Sequence, residues 1–109
     1  MSKQLPYDQA SRQTGVVLIE FYASWCPHCQ RMMPVVEQVK ELLNGQVPVY
    51  QYDIDQHQDW AAEAQVESIP TFIICDNAEE VWRQSGEMDG QVLLDTVDAV
   101  LGSVDPDGQ

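Results

Sequence analysis

Basic residues are scarce in this chain, which has five Lys and Arg against 18 Asp and Glu and a formal charge of −13 at pH 7. Residues 56–109 carry twelve of the acidic residues and a single basic residue, Arg83. Such a surface repels the phosphates of nucleic acids and of anionic membranes, so we expect neither as a partner. The acidic side chains are expected to form a solvated face, or else to steer the protein toward basic partners.

Long hydrophobic runs are also missing. No apolar stretch is long enough to cross a membrane, and residues 1–15 contain no continuous hydrophobic segment of signal-peptide length. We therefore expect a cytoplasmic protein. With 109 residues, of which 44% are hydrophobic, the chain is expected to fold as one domain over 1–109, with 103–109 as a flexible acidic tail. We expect this domain to act as a monomer.

Cysteine occurs only three times, which is too few for a disulfide framework. No second Cys-x-x-Cys or His pair completes four zinc ligands around Cys26 and Cys29, so a metal site is the weaker interpretation. Gln30 stands where haem attachment requires a histidine, which excludes that function. Cys75 lies alone in an apolar segment and is expected to be a buried small residue.

What is present is a close cysteine pair, in Trp25-Cys26-Pro27-His28-Cys29, directly after an apolar run. The run over 16–22 predicts a buried strand, and apolar residues at helical spacing predict a helix from Cys26 to about Leu43. A cysteine at a helix N-terminus meets unpaired N–H groups and the positive end of the helix dipole, which favour the thiolate. We therefore expect Cys26 to be an exposed nucleophile and Cys29, one turn inside, to resolve the mixed disulfide.

The remaining pattern predicts three more strands, over 47–54, 71–75 and 80–85. It also predicts a helix capped by Asp55 and running to Val66, and a last helix from about Asp89 to Gly102. This order of elements implies an α/β fold in which helices cover both faces of a mixed sheet. In such sheets, sites form beyond the carboxyl ends of the strands, where Cys26 falls.

Three segments together resemble the thioredoxin family over roughly residues 5–102: Trp25-Cys26-x-x-Cys29, Ser68-Ile69-Pro70-Thr71-Phe72, and Gly86 before the last helix. The resemblance implies a thioredoxin fold. The segment before Val16 is short by about one strand, so we expect a central mixed four-stranded sheet flanked by helices.

The resemblance also implies a function, namely reduction of protein disulfides by dithiol–disulfide exchange without a bound cofactor. The electron donor that it implies is a flavoprotein of the thioredoxin reductase type. It further implies that the Ile69-Pro70 bond is cis, that Pro70 packs against the cysteine pair, and that substrate proteins contact four residues: Trp25, Ile69, Pro70 and Gly86.

Some residues depart from the family pattern. Pro27-His28 is the dipeptide of disulfide oxidases, which leaves oxidase or isomerase activity as an alternative, and a binding module without turnover is another. His28 is expected to stabilise the Cys26 thiolate by charge or hydrogen bonding and to raise the reduction potential. Glu20 replaces the family's buried aspartate, and Gln51 its nearby lysine. We expect Glu20 either to be buried, with a raised pKa and a proton to exchange with Cys29, or to reach solvent at the strand end.

Overall fold

A computed structural model describes residues 4–103. Along the chain, the helices and strands are α1 (Tyr7–Ala10), β1 (Val16–Tyr22), α2 (Pro27–Leu43), β2 (Val49–Asp53), α3 (Gln58–Glu63), β3 (Thr71–Asp76), β4 (Glu79–Ser85) and α4 (Gly90–Ser103). The predicted acidic tail lies outside the described residues from position 104 onward. Within the described part of the chain, no helix is both long and apolar enough to cross a membrane.

The four strands form one mixed sheet in the order β2-β1-β3-β4. Strand β1 runs parallel to β2 and antiparallel to β3, and β3 runs antiparallel to β4. These pairings confirm the mixed four-stranded sheet expected from the sequence. The apolar run of β1 barely alternates because this strand is covered on both faces.

Two apolar clusters cover the two faces of the sheet. On one face, Val16 and Leu18 of β1 pack with side chains of α2 and α4, including Met32, Val36 and Leu93. On the other face, the alternate β1 residues pack with residues in or next to α1 and α3. Helices therefore lie on both sides of the sheet, as the order of elements predicted.

The prediction for α3 was wrong in its start and its end. His57, not Asp55, is the N-cap residue, and the helix stops at Glu63. The carboxylate of Asp55 instead accepts a hydrogen bond from the Trp25 indole at 2.7 Å, so it is tied to the segment between β1 and α2. At the other end, Gln65 adopts a positive φ of 57°, which breaks the helical path.

Candidate active site

The sheet topology places three separate segments at one edge of the sheet. Cys26 is the N-cap residue of α2, just beyond the carboxyl end of β1. Because β3 is antiparallel to β1, with Phe21 opposite Thr71, the start of β3 lies at the same edge. The N–H of Gly86 donates a hydrogen bond to the carbonyl of Pro70 at 2.8 Å and so brings the end of β4 there as well.

The Ile69-Pro70 peptide bond is cis, as the resemblance implied. Pro70 is buried, and Ile69 packs with Ala23 against both cysteines. Gly86 has φ of +96°, a conformation that glycine adopts without steric cost. The structure therefore brings Ile69, Pro70 and Gly86 to the edge where the cysteine pair lies.

Cys26 and Cys29 are both free thiols, and both are buried. The prediction of an exposed Cys26 was wrong, since only 5% of the residue is accessible. Tyr22, Ile54 and Ile69 pack against the cluster formed by Ala23 and the two cysteines. Ile54 follows β2 and Ile69 precedes β3, so a local sequence pattern does not place them beside Cys26.

Burial acts to raise the pKa of Cys26, but hydrogen bonds outweigh it and the net pKa is lowered. The sulfur interacts with the backbone N–H and the thiol of Cys29 and with the backbone N–H of His28, and the Arg31 guanidinium adds a favourable charge. This is the N-terminal helix environment expected to favour a thiolate. Cys26 is therefore the more nucleophilic thiol of the pair.

Cys29 has the opposite character, because its burial raises the pKa to about 12. The neighbouring Cys26 sulfur and the Glu20 carboxyl raise it further, by hydrogen bonding or charge. A thiol held protonated in this way attacks only when a nearby base removes its proton.

Glu20 is buried within β1, the strand that leads to Cys26, with 3% of its surface accessible. Gln51 lies directly opposite in the parallel register, and its Nε2 donates to Oε1 of Glu20 at 3.0 Å. Burial raises the pKa of Glu20 to about 7 despite this hydrogen bond. Of the two expectations for this residue, burial with a raised pKa is confirmed.

A cavity of about 160 Å³ adjoins the Glu20 side chain. It is lined by Glu20, Tyr22, Met33, Glu37 and Gln51. Most of its surface is apolar, but the polar ends of Glu20, Glu37 and Gln51 border it, and a cavity of this volume has room for water.

Trp25 is 61% exposed at the rim of the site. Beside it lies a largely apolar cavity of about 230 Å³, whose lining includes Ile54, Glu67 and Ile69. Trp25 and Ile69 thus both line a concave surface, and Ile69 also packs against the cluster that contains Cys26. Glu67 contributes a carboxylate to the lining of this cavity.

The His28 imidazole is turned toward Glu87, with Nδ1 lying 2.5 Å from Oε2 of that residue. His28 acts on the Cys26 sulfur through its backbone N–H group instead. Pro27 is the first residue of α2, a position where its missing N–H removes no helical hydrogen bond.

Sequence reasoning missed Arg31 and Glu87. Arg31 lies three residues after His28, so helical spacing alone could have placed it beside the first turn of α2. Glu87 is 59 residues from His28, and only the folded chain brings it there. Cys75 lies elsewhere, buried in β3 as expected, and burial raises its pKa to about 11. Among the described residues, no three His, Cys, Asp or Glu side chains are grouped to hold a metal ion.

Comparisons with known proteins agree with this geometry. The family model for thioredoxin matches residues 2–99. A thioredoxin of Staphylococcus haemolyticus is 33% identical over 89 residues, which cover 82% of this chain and 86% of that protein. Thioredoxin Y, a chloroplastic protein of Oryza sativa, is 34% identical over 85 residues, which cover 78% of this chain but only about half (51%) of the rice protein.

The solved structure of a mutant thioredoxin from Halobacterium salinarum superposes with a TM-score of 0.77 at 32% identity. The superposition covers 86% of this chain and 81% of that one. Thioredoxins are thiol–disulfide oxidoreductases that use a cysteine pair and need no bound cofactor. The fold, the paired thiols and the matching family model together show that this chain belongs to the thioredoxin family.

Proposed function

We propose that this chain reduces disulfides of other proteins through Cys26 and Cys29. The observation that carries the proposal is the opposite perturbation of the two thiols, a lowered pKa at Cys26 and a raised pKa at Cys29. One thiol is thereby prepared to attack, and the other stays protonated until the mixed disulfide has formed.

In the first step, the Cys26 thiolate attacks one sulfur of the substrate disulfide. A mixed disulfide forms, and the other substrate sulfur leaves as a thiolate. Cys29 then gives its proton to the Glu20 carboxylate and attacks the Cys26 sulfur, which releases the second substrate thiolate. The substrate gains two electrons and this chain loses two, so that a Cys26–Cys29 disulfide remains.

Return to the starting state, with Cys26 as thiolate and Cys29 as thiol, needs two electrons from outside, and the one proton that Cys29 gave to Glu20 goes back to Cys29. By analogy with the family, we propose that a flavoprotein of the thioredoxin reductase type supplies the electrons and that the chain acts as a monomer. A reducing compartment such as the cytoplasm suits this direction of transfer. Because the rice relative is named chloroplastic, a plastid-like compartment is the alternative.

We propose that substrates dock as an extended segment between Trp25, Ile69 and Gly86. The cavity beside Trp25 would receive an apolar side chain, and the backbone of Ile69 would pair with the segment by strand addition. Pro70 would close the floor of this groove beneath the sulfur atoms.

The test is the rate of insulin disulfide reduction with a thioredoxin reductase and its nicotinamide cofactor. Cys26→Ser is expected to abolish turnover. Cys29→Ser is expected to stop it after the mixed disulfide forms, which mass spectrometry detects. The matched control is Cys75→Ser, since this thiol is buried away from the site, and it should keep wild-type turnover. Full turnover by Cys26→Ser would contradict the proposal, and a wild-type chain that binds insulin without reducing it would favour a binding module.

Disulfide oxidation is the second candidate, because Pro27-His28 separates the cysteines and Arg31 further favours the thiolate. A stabilised thiolate stabilises the reduced protein and makes the disulfide more oxidising. Oxidative refolding of a reduced test protein separates the two directions. Under matched glutathione buffers, the oxidase is favoured if the chain accelerates refolding by a larger factor than it accelerates insulin reduction.

A further inference from the structure

Glu87 joins the loop after β4 to the first turn of α2. Its Oε2 atom accepts hydrogen bonds from Nε and Nη2 of Arg31, at 2.9 and 2.7 Å. The same oxygen lies 2.5 Å from Nδ1 of His28. One carboxylate oxygen is thus shared by the side chains of Arg31 and His28, both in α2.

The pairing matters because Arg31 acts on Cys26. Its guanidinium is among the groups that lower the pKa of the Cys26 thiol. A carboxylate in contact with that guanidinium opposes its field at the sulfur. The hydrogen bonds from Arg31, followed by that from His28, in turn lower the pKa of Glu87 to about 2, so that the carboxyl is ionised at neutral pH.

We propose that Glu87 is a positioning residue that limits the stabilisation of the Cys26 thiolate and so keeps the Cys26–Cys29 pair more reducing. It does so by holding Arg31 and His28 against its own negative charge. The thiolate exists only in the reduced protein, so any group that opposes it lowers the reduction potential. This inference rests on the proposed function, since it concerns the reduction potential of the same Cys26–Cys29 disulfide.

The experiment measures the equilibrium of the Cys26–Cys29 disulfide with glutathione for the full chain. Glu87→Gln is expected to raise the equilibrium constant for oxidation of glutathione about threefold, or about 14 mV at about 30 mV per factor of ten. Asp98→Asn is the matched control, because it removes one charge from an exposed position on α4. The control should stay near the wild-type value.

Two further variants test whether Glu87 acts through Arg31. Arg31→Gln is expected to shift the equilibrium in the reducing direction. In the Arg31→Gln background, Glu87→Gln should have less than half of its effect in the wild-type background. The thiolate absorbance of Cys26, followed against pH, should show a lower pKa in Glu87→Gln and a higher one in Arg31→Gln.

An equilibrium constant for Glu87→Gln equal to that of Asp98→Asn, or lower, would overturn the inference and leave Glu87 as a loop tether. An equal effect of Glu87→Gln in both backgrounds would also overturn it, because Arg31 would not be the mediator. In either case the wild-type protein still forms its disulfide, and the proposed function stands. A wild-type chain that forms no Cys26–Cys29 disulfide would overturn the proposed function itself.

Discussion

Replacing Glu20 with Gln should change how the stability of the folded protein depends on pH. Glu20 is 3% exposed, and burial raises its pKa from 4.5 to about 7. The folded state therefore binds this proton more tightly than the unfolded chain does. The resulting stabilisation is fully present below pH 4.5 and is lost as the pH rises through about 7.

The size of the effect follows from the two pKa values. Since a difference of one in pKa corresponds to about 1.4 kcal/mol, the change from 4.5 to about 7 amounts to about 3 kcal/mol. Most of it, about 2.5 kcal/mol, falls between pH 5 and pH 8. Gln has nearly the same shape and does not titrate, so Glu20→Gln should lack this part of the pH dependence.

The assay is urea unfolding of the reduced wild type and of Glu20→Gln at pH 5 and pH 8, at equal ionic strength. The quantity compared is the change in unfolding free energy between the two pH values. A constant offset, for example from the altered hydrogen bond to Gln51, cancels in this comparison. The wild type should lose about 2.5 kcal/mol more than the variant on going to pH 8.

A control checks that the effect belongs to the buried carboxyl. Glu41→Gln, at an exposed position on α2, should show the same pH dependence as the wild type. If wild type and Glu20→Gln lose equal stability between the two pH values, Glu20 is ionised as readily in the folded protein as in solution. It would then have no proton affinity suited to Cys29, and the proposed second step would lose its base.

Three further predictions follow from packing and charge. Leu93→Ala, which empties a fully buried position, should lower the free energy of urea unfolding by about 2–5 kcal/mol, whereas Leu42→Ala at a 60% exposed position should change it by less than about 0.5 kcal/mol. Trp25→Ala should slow reduction of insulin more than reduction of a small aromatic disulfide, since it removes part of the docking cavity; equal slowing would contradict that role. Basic disulfide peptides should be reduced faster than acidic ones of equal length, with a difference that shrinks as salt is added. Equal rates at low salt would leave the acidic residues as a solvated face.

Much of the fold is predictable from the sequence because it depends on local patterns. The unbroken apolar run of β1 indicates a strand covered on both sides, and the helical spacing from Met32 to Leu43 gives α2 nearly to the residue. The bounds of α3 are not predictable in this way. Asp55 is a good capping residue by type, but its carboxylate bonds to Trp25, which is 30 residues earlier in the chain.

The candidate site is likewise predictable only where it depends on local sequence. The cysteine spacing and the position at a helix start predict the nucleophile, whereas a lone carboxyl in an apolar strand leaves two outcomes open for Glu20, and the fold selects burial with a raised pKa. The burial of Cys26 depends on Ile54 and Ile69, which come from other loops. Likewise, the contact of Glu87 with His28 and Arg31 exists only because the end of β4 lies beside the start of α2.

The central claim is that Cys26 and Cys29 form a reversible disulfide while Cys75 stays a thiol. The direct measurement is mass spectrometry of the chain after mild oxidation, denaturation and alkylation of all free thiols. One alkylated cysteine, Cys75, together with a linked Cys26–Cys29 peptide, is the predicted result. Three alkylated cysteines after oxidation would contradict the account.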